Sequence, residues 1–383
     1  MKQNTPAATL GVIGGGQLGR MLGEAAGPLG VDVVVSDPTP DCPAAPVVRE
    51  QVVGDFDDYE TIRTVAERAD VLTYEIELAD PDALERAAAE TGTPVHPDPG
   101  TLRTIQDKLV QNRALAEAGI PIPEYRRVDD ENDLRAAGDA FEWPVMLKAR
   151  EGGYDGRGNF PVASSADAAA ALSEIGGDAL AEEMIEFDRE LAVIGVKGDG
   201  EVRAFPVTET IHEEEILRRT VSPARTDAGT RGRAREVAFD VLDVLEGRGV
   251  YGIELFEVDG EILVNEIAPR PHNSGHWTIE GAASSQFDQH VRATLGWPLG
   301  AAERRCPTAS FNLLGDVDEP TAAALSGVEK LLSAPGASLH WYGKREVRPL
   351  RKMGHVTLTD EESTAVETLL GRAETLESTV TFR

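Results

Sequence analysis

The chain has 383 residues, 41% of them hydrophobic, and a formal net charge of −30 from 67 acidic and 37 basic residues. This length predicts two or three domains, and no apolar stretch approaches the roughly 18 residues that cross a membrane, so no membrane segment is expected. The negative charge argues against nucleic acid as a partner, because such binding neutralises phosphates with Lys and Arg. Acidity spread along the whole sequence favours a halophilic surface, since salt at about 1 M screens charges within about 3 Å. An acidic enzyme without salt adaptation is the alternative.

Two rare residue types are also informative. Cys42 and Cys306 are the two cysteines, which excludes a disulfide framework and fits a cytoplasmic location. The N-terminus lacks a basic segment followed by a long apolar run, so we expect no signal peptide. Seven of the 37 basic residues are lysines, and each is a candidate for a role that needs a compact, flexible ammonium.

The pattern of residues 9 to about 100 predicts a doubly wound domain of parallel strands and helices. Strands are predicted in TLGVIG, VDVVVS and DVLTYEIE, and helices in LGRMLGEAAGPLG and YETIRTVAERA. Gly14, Gly16 and Gly19 follow the first strand, and Asp37 ends the second. This spacing is typical of a dinucleotide site, where glycines admit the pyrophosphate and the acid binds a ribose hydroxyl. An NAD oxidoreductase is therefore one interpretation.

The next segment, TLRTIQDKLVQNRALAEAGI, predicts one amphipathic helix. Strands are then predicted in WPVMLKAR, ALAEEMI, RELAVIGVKG and EVRAFPVTET. Lys148 lies inside the first of these strands and needs an anionic partner, for which a nucleotide phosphate is a candidate. The stretch 151–159, EGGYDGRGN, predicts a loop that covers phosphates, although without P-loop spacing. A plain glycine-rich turn is the alternative.

A helix at about 229 to 246 precedes a predicted hairpin, VYGIELFEVDGEILVNEIAPR. With a three-residue loop at 259–261, the facing pairs are Val258 with Ile262, Phe256 with Val264 and Glu254 with Glu266. Two adjacent carboxylates repel each other unless a cation holds them, and Mg²⁺ bridging nucleotide phosphates is the usual solution. In this register Asn265 points to the opposite face. An exposed acidic pair is the alternative.

Two further segments are rich in hydrogen-bond donors. In APRPHNSGHWT, residues 268–278, His272 and His276 are four apart, but the surrounding prolines make a helix and a zinc site improbable. Arg270 and its neighbours instead form a polar loop. The tail from about 306 holds short strands and the cluster WYGKREVRPLRKMGH at 341–355, whose local charge of +4 predicts a phosphate partner.

Five motifs then point to one family: GGGQLGRML, TYEIE, GGYDGRGN, EIAPRPHNSGHWT and WYGKREVRPLRKMGH. By these motifs the chain resembles the ATP-grasp superfamily, and most closely the N5-carboxyaminoimidazole ribonucleotide synthetase family of purine biosynthesis. The motifs occur in that family's order, and the similarity runs over nearly the whole chain. The resemblance implies a mixed α/β and α+β fold. Its parts are a Rossmann-like pre-ATP-grasp domain at 1–106, an ATP-grasp lid lobe at 107–190, a catalytic lobe at 191–305 and a small β-rich C-terminal domain at 306–383. In this family the glycine-rich turn faces a ribonucleotide, and no NAD is used.

The resemblance also implies site residues. ATP would contact Lys108 and Lys148 at its phosphates, with Gly153, Tyr154, Asp155, Gly156, Arg157, Gly158 and Asn159 closing over them. Its adenine would meet Glu182, Glu183, Met184 and Ile185, its ribose Glu190, and other atoms His212 and Asn265. Mg²⁺ or Mn²⁺ would be held by Glu254 and Glu266, since Ala268 stands where many ATP-grasp ligases have Asn. The ribonucleotide would meet Gln17, Leu18, Glu75, Tyr154, Asp155 and Arg157, with Lys344, Arg351 and Lys352 at its 5′-phosphate. Bicarbonate would lie near Arg270, His272, Asn273 and Ser274.

The implied activity is carboxylation of 5-aminoimidazole ribonucleotide, with ATP and bicarbonate, through carboxyphosphate. The expected catalytic residues are Asp155, Arg157, Arg270 and Lys344, with Asp155 steering or deprotonating the substrate amine. The family suggests a homodimer that acts on small molecules. Three alternatives are a formate-dependent glycinamide ribonucleotide transformylase, the NAD oxidoreductase and a nucleotide-binding module without catalysis. The HNSGHWT motif opposes the first, and the two hairpin carboxylates oppose the last.

Overall fold

The computed structural model describes residues 8–152 and 158–382, and its first domain is a parallel sheet with an apolar cluster on each face. Its elements are β1 (Thr9–Ile13), α1 (Gln17–Ala26), β2 (Asp32–Asp37), β3 (Glu50–Val53), α2 (Tyr59–Ala66), β4 (Val71–Tyr74), α3 (Pro81–Thr91) and α4 (Pro99–Gln106). The strand order is β3-β2-β1-β4. The Rossmann-like prediction and its three parallel strands are confirmed. Strand β3 was missed because its EQVV sequence is short and none of it is fully buried.

The single helix predicted from residue 101 is wrong, because Asp107 interrupts it with φ −101° and ψ 105°. Its carboxylate accepts a hydrogen bond from the backbone N–H of Leu109 at 2.9 Å and so caps a new helix. The same carboxylate accepts from Arg150 Nε at 3.1 Å. The predicted helix is therefore divided into two at Asp107.

The lid lobe is an antiparallel sheet covered by helices. Its elements are α5 (Lys108–Glu117), β5 (Tyr125–Val128), α6 (Glu131–Phe141), β6 (Val145–Ala149), β7 (Asn159–Val162), α7 (Ala168–Ile175) and β8 (Ala179–Glu183). The strand order is β5-β8-β6-β7, and α6 and α7 pack their apolar residues against the sheet. This sheet places Lys148 opposite Asn159 on one side and Leu180 on the other.

The catalytic lobe and the C-terminal segment share one continuous antiparallel sheet. The lobe contains β9 (Arg189–Lys197), β10 (Val202–Ala204), β11 (Thr208–Glu213), β12 (Ile216–Ser222), α8 (Ala228–Val244), β13 (Gly249–Val258), β14 (Glu261–Ala268), α9 (Thr278–Gly281) and α10 (Gln286–Thr294). The C-terminal segment adds β15 (Thr308–Leu314), β16 (Thr321–Ala322), β17 (Leu325–Ser326), α11 (Val328–Ser333), β18 (Ala337–Trp341), β19 (Glu346–Val347), β20 (Lys352–Thr359), α12 (Val366–Glu377) and β21 (Thr381–Phe382). The order along the main sheet is β14-β13-β9-β11-β12-β15-β20-β18. The predicted boundary at residue 306 therefore separates segments that are hydrogen-bonded to each other.

One apolar cluster joins three parts of the chain. Leu10 of β1 and Leu22 of α1 lie in it with Phe287 of α10 and Tyr342 of the C-terminal segment, all at most 1% exposed. Burial of this kind is the dominant favourable term in packing domains together. The cluster therefore fixes the first domain against the other two. None of the described helices is both long and apolar enough to cross a membrane.

Replacing Phe287 by Ala should destabilise the whole molecule. The ring is 1% exposed within the shared cluster, and removing such a ring from a core costs about 3–5 kcal/mol. Urea unfolding followed by tryptophan fluorescence measures the loss. Leu332→Ala is the control, because Leu332 is 67% exposed and its loss should change stability by less than about 0.5 kcal/mol. Equal effects of the two variants would contradict the shared core.

Candidate active site

A large cavity, of about 1050 Å³, lies between the lid lobe and the catalytic lobe. It is lined by most of the predicted nucleotide residues: Lys108, Lys148, Asn159, Glu182, Glu183, Met184, Ile185, Glu190, His212, Asn265 and Glu266. Glu254 also lines it. Gly158 stands just before β7, where its carbonyl accepts a hydrogen bond from the Ala149 N–H at 2.7 Å. Gly153, Tyr154, Asp155, Gly156 and Arg157 lie outside the described residues.

Lys148 has an anionic partner within the protein, and its predicted contact with a nucleotide phosphate stays a prediction. Its ammonium lies 2.6 Å from Glu182 Oε2 and donates to Asn265 Oδ1 at 3.2 Å. Lys148 and Glu182 are 8% and 5% exposed. A buried charge costs several kcal/mol unless it is paired, so each of the two groups makes the other tolerable. Lys148 nevertheless lines the cavity.

Lys108 forms a second ion pair at the cavity, with Nζ 3.4 Å from Glu266 Oε1. Burial favours the neutral amine, but attraction to Glu266 and Glu182 outweighs it and raises the pKa of Lys108. The same attraction to Lys108 lowers the pKa of Glu266. Both groups are therefore charged near neutral pH.

The carboxylate hairpin is present, but its register differs from the predicted one. Asp259 and Gly260 form a two-residue turn with φ of 50° and 80°, as in type I′ turns. The observed pairs are Val258 with Glu261, Glu257 with Ile262, Phe256 with Leu263 and Leu255 with Val264. A β-bulge after Leu255 then restores the predicted pairing of Glu254 with Glu266. The extra residue is Asn265, and its side chain contacts Lys148 in the cavity. The prediction that Asn265 faces away is therefore wrong.

The two hairpin carboxylates differ in their electrostatics. Burial, followed by the effect of nearby Glu266, raises the pKa of Glu254 to about 7, against the opposing charge of His212. No group of three or more His, Cys, Asp or Glu side chains within the described ranges is arranged to hold a metal. Mg²⁺ commonly binds through one or two carboxylates plus substrate phosphates, so this pair fits such an ion when a nucleotide is bound.

Glu190 and His212 form a third pair on the cavity wall. His212 Nδ1 lies 2.7 Å from Glu190 Oε2. Burial favours the neutral ring, but the Glu190 hydrogen bond and the charge of Glu254 outweigh it and raise the pKa of His212. The pair leaves the second oxygen of Glu190 as an acceptor for a hydroxyl group.

A smaller cavity of about 140 Å³ lies where the first domain meets the other two. It is lined by the predicted substrate residues Gln17, Leu18, Glu75, Arg270, His272, Asn273 and Lys352, and by Phe56 and Tyr342, which were not predicted. Tyr342 could have been found because it belongs to the basic motif, whereas no sequence signal marks Phe56. Arg270, His272, Asn273 and Lys352 line both cavities, so the two cavities adjoin.

Glu75 occupies the place that a dinucleotide phosphate would take at the glycine-rich turn. Its carboxylate accepts hydrogen bonds from the backbone N–H of Gly16 and, at 2.7 Å, of Gly19. A Cβ atom on Gly14 would collide with the Glu75 side chain. Asp37 accepts from the Gly15 N–H at 3.2 Å. The glycines thus admit a carboxylate of the protein, and the NAD interpretation loses its phosphate site.

The loop after the hairpin orients His272. Its backbone N–H donates to Gln286 Oε1 at 2.9 Å, and its Nδ1 lies 2.9 Å from Ser274 Oγ. Burial, followed by the charge of Arg270, lowers the pKa of His272 well below its ordinary value, so the ring is neutral at pH 7. Ser274 is fully buried and outside the lining of both cavities. Its hydroxyl supports His272, so the predicted contact with a ligand remains a prediction.

The basic motif contributes to the site unevenly. Lys352, at the start of β20, lines both cavities. Lys344 Nζ donates to the Lys352 carbonyl at 2.6 Å, and Arg351 Nη1 donates to the Glu346 carbonyl at 2.7 Å. Lys344 and Arg351 lie outside the lining of the two cavities, and their predicted contacts with a 5′-phosphate stay predictions.

Three family models match successive parts of the chain. They are the ribonucleotide synthetase preATP-grasp domain at residues 7–106, the ATP-grasp domain at 113–287 and the phosphoribosylaminoimidazole carboxylase C-terminal domain at 308–368. The fold and the cleft thus define an ATP-grasp protein.

Similar proteins narrow this class. The N5-carboxyaminoimidazole ribonucleotide synthase of Brucella melitensis is 41% identical over 359 residues, covering 92% of this chain and 96% of the relative. The protein of the same name in Bacillus subtilis is 39% identical, covering 92% of this chain and 91% of the relative. The chain belongs to the N5-carboxyaminoimidazole ribonucleotide synthase family.

Longer relatives and solved structures agree with this assignment. The phosphoribosylaminoimidazole carboxylase of Vigna aconitifolia is 41% identical over 94% of this chain, which spans 66% of that relative's length. A synthetase structure from Thermotoga maritima has a TM-score of 0.88 at 42% identity, covering 98% of this chain and 99% of that chain. The Aspergillus clavatus synthase complexed with ATP has a TM-score of 0.90 at 38% identity, covering 97% and 99%. A second Aspergillus clavatus structure, with ADP and 5-aminoimidazole ribonucleotide, has a TM-score of 0.89 at 36% identity, covering 97% and 99%.

Replacing Glu75 by Gln should remove a pH-dependent part of the stability. Burial raises the pKa of Glu75 from 4.5 to about 7, against the opposing hydrogen bonds from Gly19 and Gly16. The folded state therefore binds this proton more tightly than the unfolded state, so its contribution to stability is complete below about pH 4.5 and is lost as the pH rises through about 7. The unfolding free energy of the wild type minus that of Glu75→Gln should fall by about 1.4 kcal/mol per pH unit inside this window. Urea titrations between about pH 5.5 and 8 measure it. A difference that does not change with pH would contradict the assignment.

Proposed function

We propose that the protein carboxylates 5-aminoimidazole ribonucleotide to N5-carboxyaminoimidazole ribonucleotide, consuming ATP and bicarbonate, in purine biosynthesis. The observation that carries the proposal is the junction of the two cavities. The large cavity has the size and charges for a nucleoside triphosphate, and the small one adjoins it through Arg270, His272, Asn273 and Lys352. Activation of bicarbonate in one cavity can thus be followed by its transfer to an amine in the other.

ATP is proposed to lie in the large cavity with its phosphates toward Lys108 and Lys148. Both ammonium groups are held by carboxylates, so they are fixed in place before the nucleotide arrives. Glu183 ends β8, Met184 and Ile185 follow it, and these three residues would receive the adenine. Glu190 would accept hydrogen bonds from the ribose hydroxyls. Fixed charges of this kind reduce the reorganisation needed during phosphoryl transfer.

Glu254 and Glu266 would hold Mg²⁺ or Mn²⁺ together with the nucleotide phosphates. When bound, the ion would neutralise charge on the phosphates. The donor set fits, because both carboxylates line the large cavity beside Asn265.

In the first chemical step, a bicarbonate oxygen attacks the γ-phosphorus of ATP and the bond to ADP breaks, which gives carboxyphosphate. Lys148 and Arg270 would stabilise the charge of the transferring group. Arg270 is oriented by Glu77, whose Oε1 lies 2.8 Å from its Nη2. The neutral ring of His272 and the amide of Asn273 would donate hydrogen bonds that orient bicarbonate.

In the second step, the exocyclic amine of the ribonucleotide attacks the carboxyl carbon, or CO₂ released from carboxyphosphate, and inorganic phosphate leaves. The amine loses a proton, for which Asp155 remains the proposed acceptor. The ribonucleotide would occupy the small cavity beside Gln17, Leu18 and Glu75, with Lys344, Arg351 and Lys352 toward its 5′-phosphate. Exclusion of water protects the labile intermediate.

ADP release decides this proposal. It is measured with ATP, Mg²⁺ and bicarbonate in high-potassium buffer, with and without 5-aminoimidazole ribonucleotide. Strong stimulation by the ribonucleotide that also requires bicarbonate is expected. Stimulation by glycinamide ribonucleotide with formate would favour a transformylase instead. Absence of turnover with both pairs would overturn the substrate assignment.

The Mg²⁺ concentration that the activity requires should change with pH, because Glu254 gains or loses a proton. The carboxylate must lose its proton to bind a cation, and its pKa is about 7, so the apparent Mg²⁺ affinity should fall about tenfold per pH unit below 7. Glu254→Gln is the control, since it should bind Mg²⁺ weakly with only the pH dependence of ATP itself. Mg²⁺ titrations of ATPase activity measure both proteins. Identical pH profiles would contradict the role of Glu254.

Salt should stabilise this protein if its surface is halophilic, as the net charge of −30 suggests. Self-repulsion among acidic side chains weakens as salt shortens the screening length. The melting temperature should therefore rise by several degrees between low and molar KCl. The same series in sucrose is a control for general solute effects. A melting temperature independent of KCl would contradict salt adaptation.

Location and oligomeric state complete the proposal. Cys42 and Cys306 are free thiols in the structure, which supports a cytoplasmic location. The family resemblance supports a homodimer. Light scattering coupled to size-exclusion chromatography tests the dimer directly, and a monomeric mass would overturn it.

A further inference from the structure

Asn112 connects a helix to the charged groups of the cleft without lining the cleft itself. It lies on α5 and is 4% exposed. Its Nδ2 donates to Glu182 Oε1 at 2.9 Å. The other oxygen of Glu182 lies 2.6 Å from the Lys148 ammonium. Each oxygen of this carboxylate thus has its own partner, which fixes the rotation of the carboxylate as well as its position.

Helix α5 is well placed to act as a fixed support. Lys108 and Asn112 are four residues apart and share one face. Lys108 reaches Glu266 of the catalytic lobe, whereas Asn112 reaches Glu182 of the lid lobe. The buried side chain of Leu115 on the same helix packs in the core of the catalytic lobe. The helix therefore ties the lid's carboxylate to the core of the other lobe.

We propose that Asn112 is a positioning residue for nucleotide binding, acting through Glu182 on Lys148. The amide donor holds Oε1 of Glu182, so that Oε2 faces the Lys148 ammonium and keeps it directed at the nucleotide phosphates. Without the donor, Glu182 turns to satisfy both of its oxygens, and Lys148 follows it away from the cleft. This inference rests on the proposed binding of ATP in the large cavity.

Two substitutions separate this role from simple packing. Asn112→Leu keeps the branched shape and the number of side-chain heavy atoms and removes the donor. Asn112→Asp keeps the shape and adds a carboxylate, which repels Glu182 and competes for Lys148. The charged groups facing Glu182 are Lys148 on β6 and Lys108 on α5. If Asn112 only fills space, Asn112→Asp should lose less ATP affinity than Asn112→Leu. If Asn112 positions Glu182, Asn112→Asp should lose more.

The experiment measures ATP and ADP binding by calorimetry, together with KM and kcat for ATP, on the full chain. Asn112→Leu should weaken ATP binding and raise KM about tenfold, with kcat within about threefold, because the lost interaction serves bound ATP and its transition state alike. Asn112→Asp should weaken binding further, to about a hundredfold. Gln111→Leu is the matched control, because Gln111 is also 4% exposed but lies on an adjacent face, and its ATP affinity should stay within about twofold.

Several results would overturn the proposal. One is an ATP affinity that does not change in folded Asn112→Leu. A second is a smaller loss of ATP affinity in Asn112→Asp than in Asn112→Leu. A third is a loss of ATP affinity in Gln111→Leu that equals the loss in Asn112→Leu. If Asn112→Leu does not fold, Asn112→Asp decides alone, and wild-type affinity in it overturns the proposal. A wild-type chain that binds ATP but shows no turnover with 5-aminoimidazole ribonucleotide would contradict the proposed function, and the affinities of the variants would still decide the role of Asn112.

Discussion

Compensation of buried charge in the cleft between the two lobes is the constraint on which the site depends. Lys148 is 8% exposed and would cost several kcal/mol to bury without a counter-charge. Glu182 supplies that charge from the neighbouring strand, at 2.6 Å. Lys108 and Glu266 form a second, more exposed ion pair across the lobes, at 3.4 Å. The cleft is therefore charged and ordered before any ligand enters, and its lobes are linked by the Lys108–Glu266 ion pair and by the hydrogen bond from Lys148 to Asn265.

The same principle explains the glycine-rich turn of the first domain. A helix N-terminus with exposed backbone N–H groups attracts an anion. Here the carboxyl group of Glu75, just after the neighbouring parallel strand, accepts hydrogen bonds from these N–H groups, and the glycines leave room for its side chain. The glycine-rich turn, which binds pyrophosphate in dinucleotide enzymes, thus binds a side chain of its own domain here. The cost is a carboxyl group whose pKa is raised to about 7 by its burial.

Continuity of the main sheet decides which parts of the C-terminal segment reach the site. Strand β15 pairs with β12, and β20 pairs with β15, so Lys352 at the start of β20 is carried to the junction of the two cavities. Tyr342 reaches the small cavity and also packs in the apolar cluster with Phe287. The lining of the small cavity comes from three separate parts of the chain and therefore depends on the packing that holds the domains together.

The sequence by itself determined the Rossmann-like start, the hairpin with its paired glutamates and, through its motifs, the family, because strand periodicity and motif order are local properties. Tertiary structure decided the rest. The break at Asp107 depends on Arg150, 43 residues later, and the partner of Lys148 depends on the pairing of β6 with β8. The direction of Asn265 depends on a bulge that restores register after a two-residue turn, so counting residues outward from the turn could not predict it. Contacts such as these are set by which strands and helices meet, and a pattern confined to one segment carries no information about its neighbours.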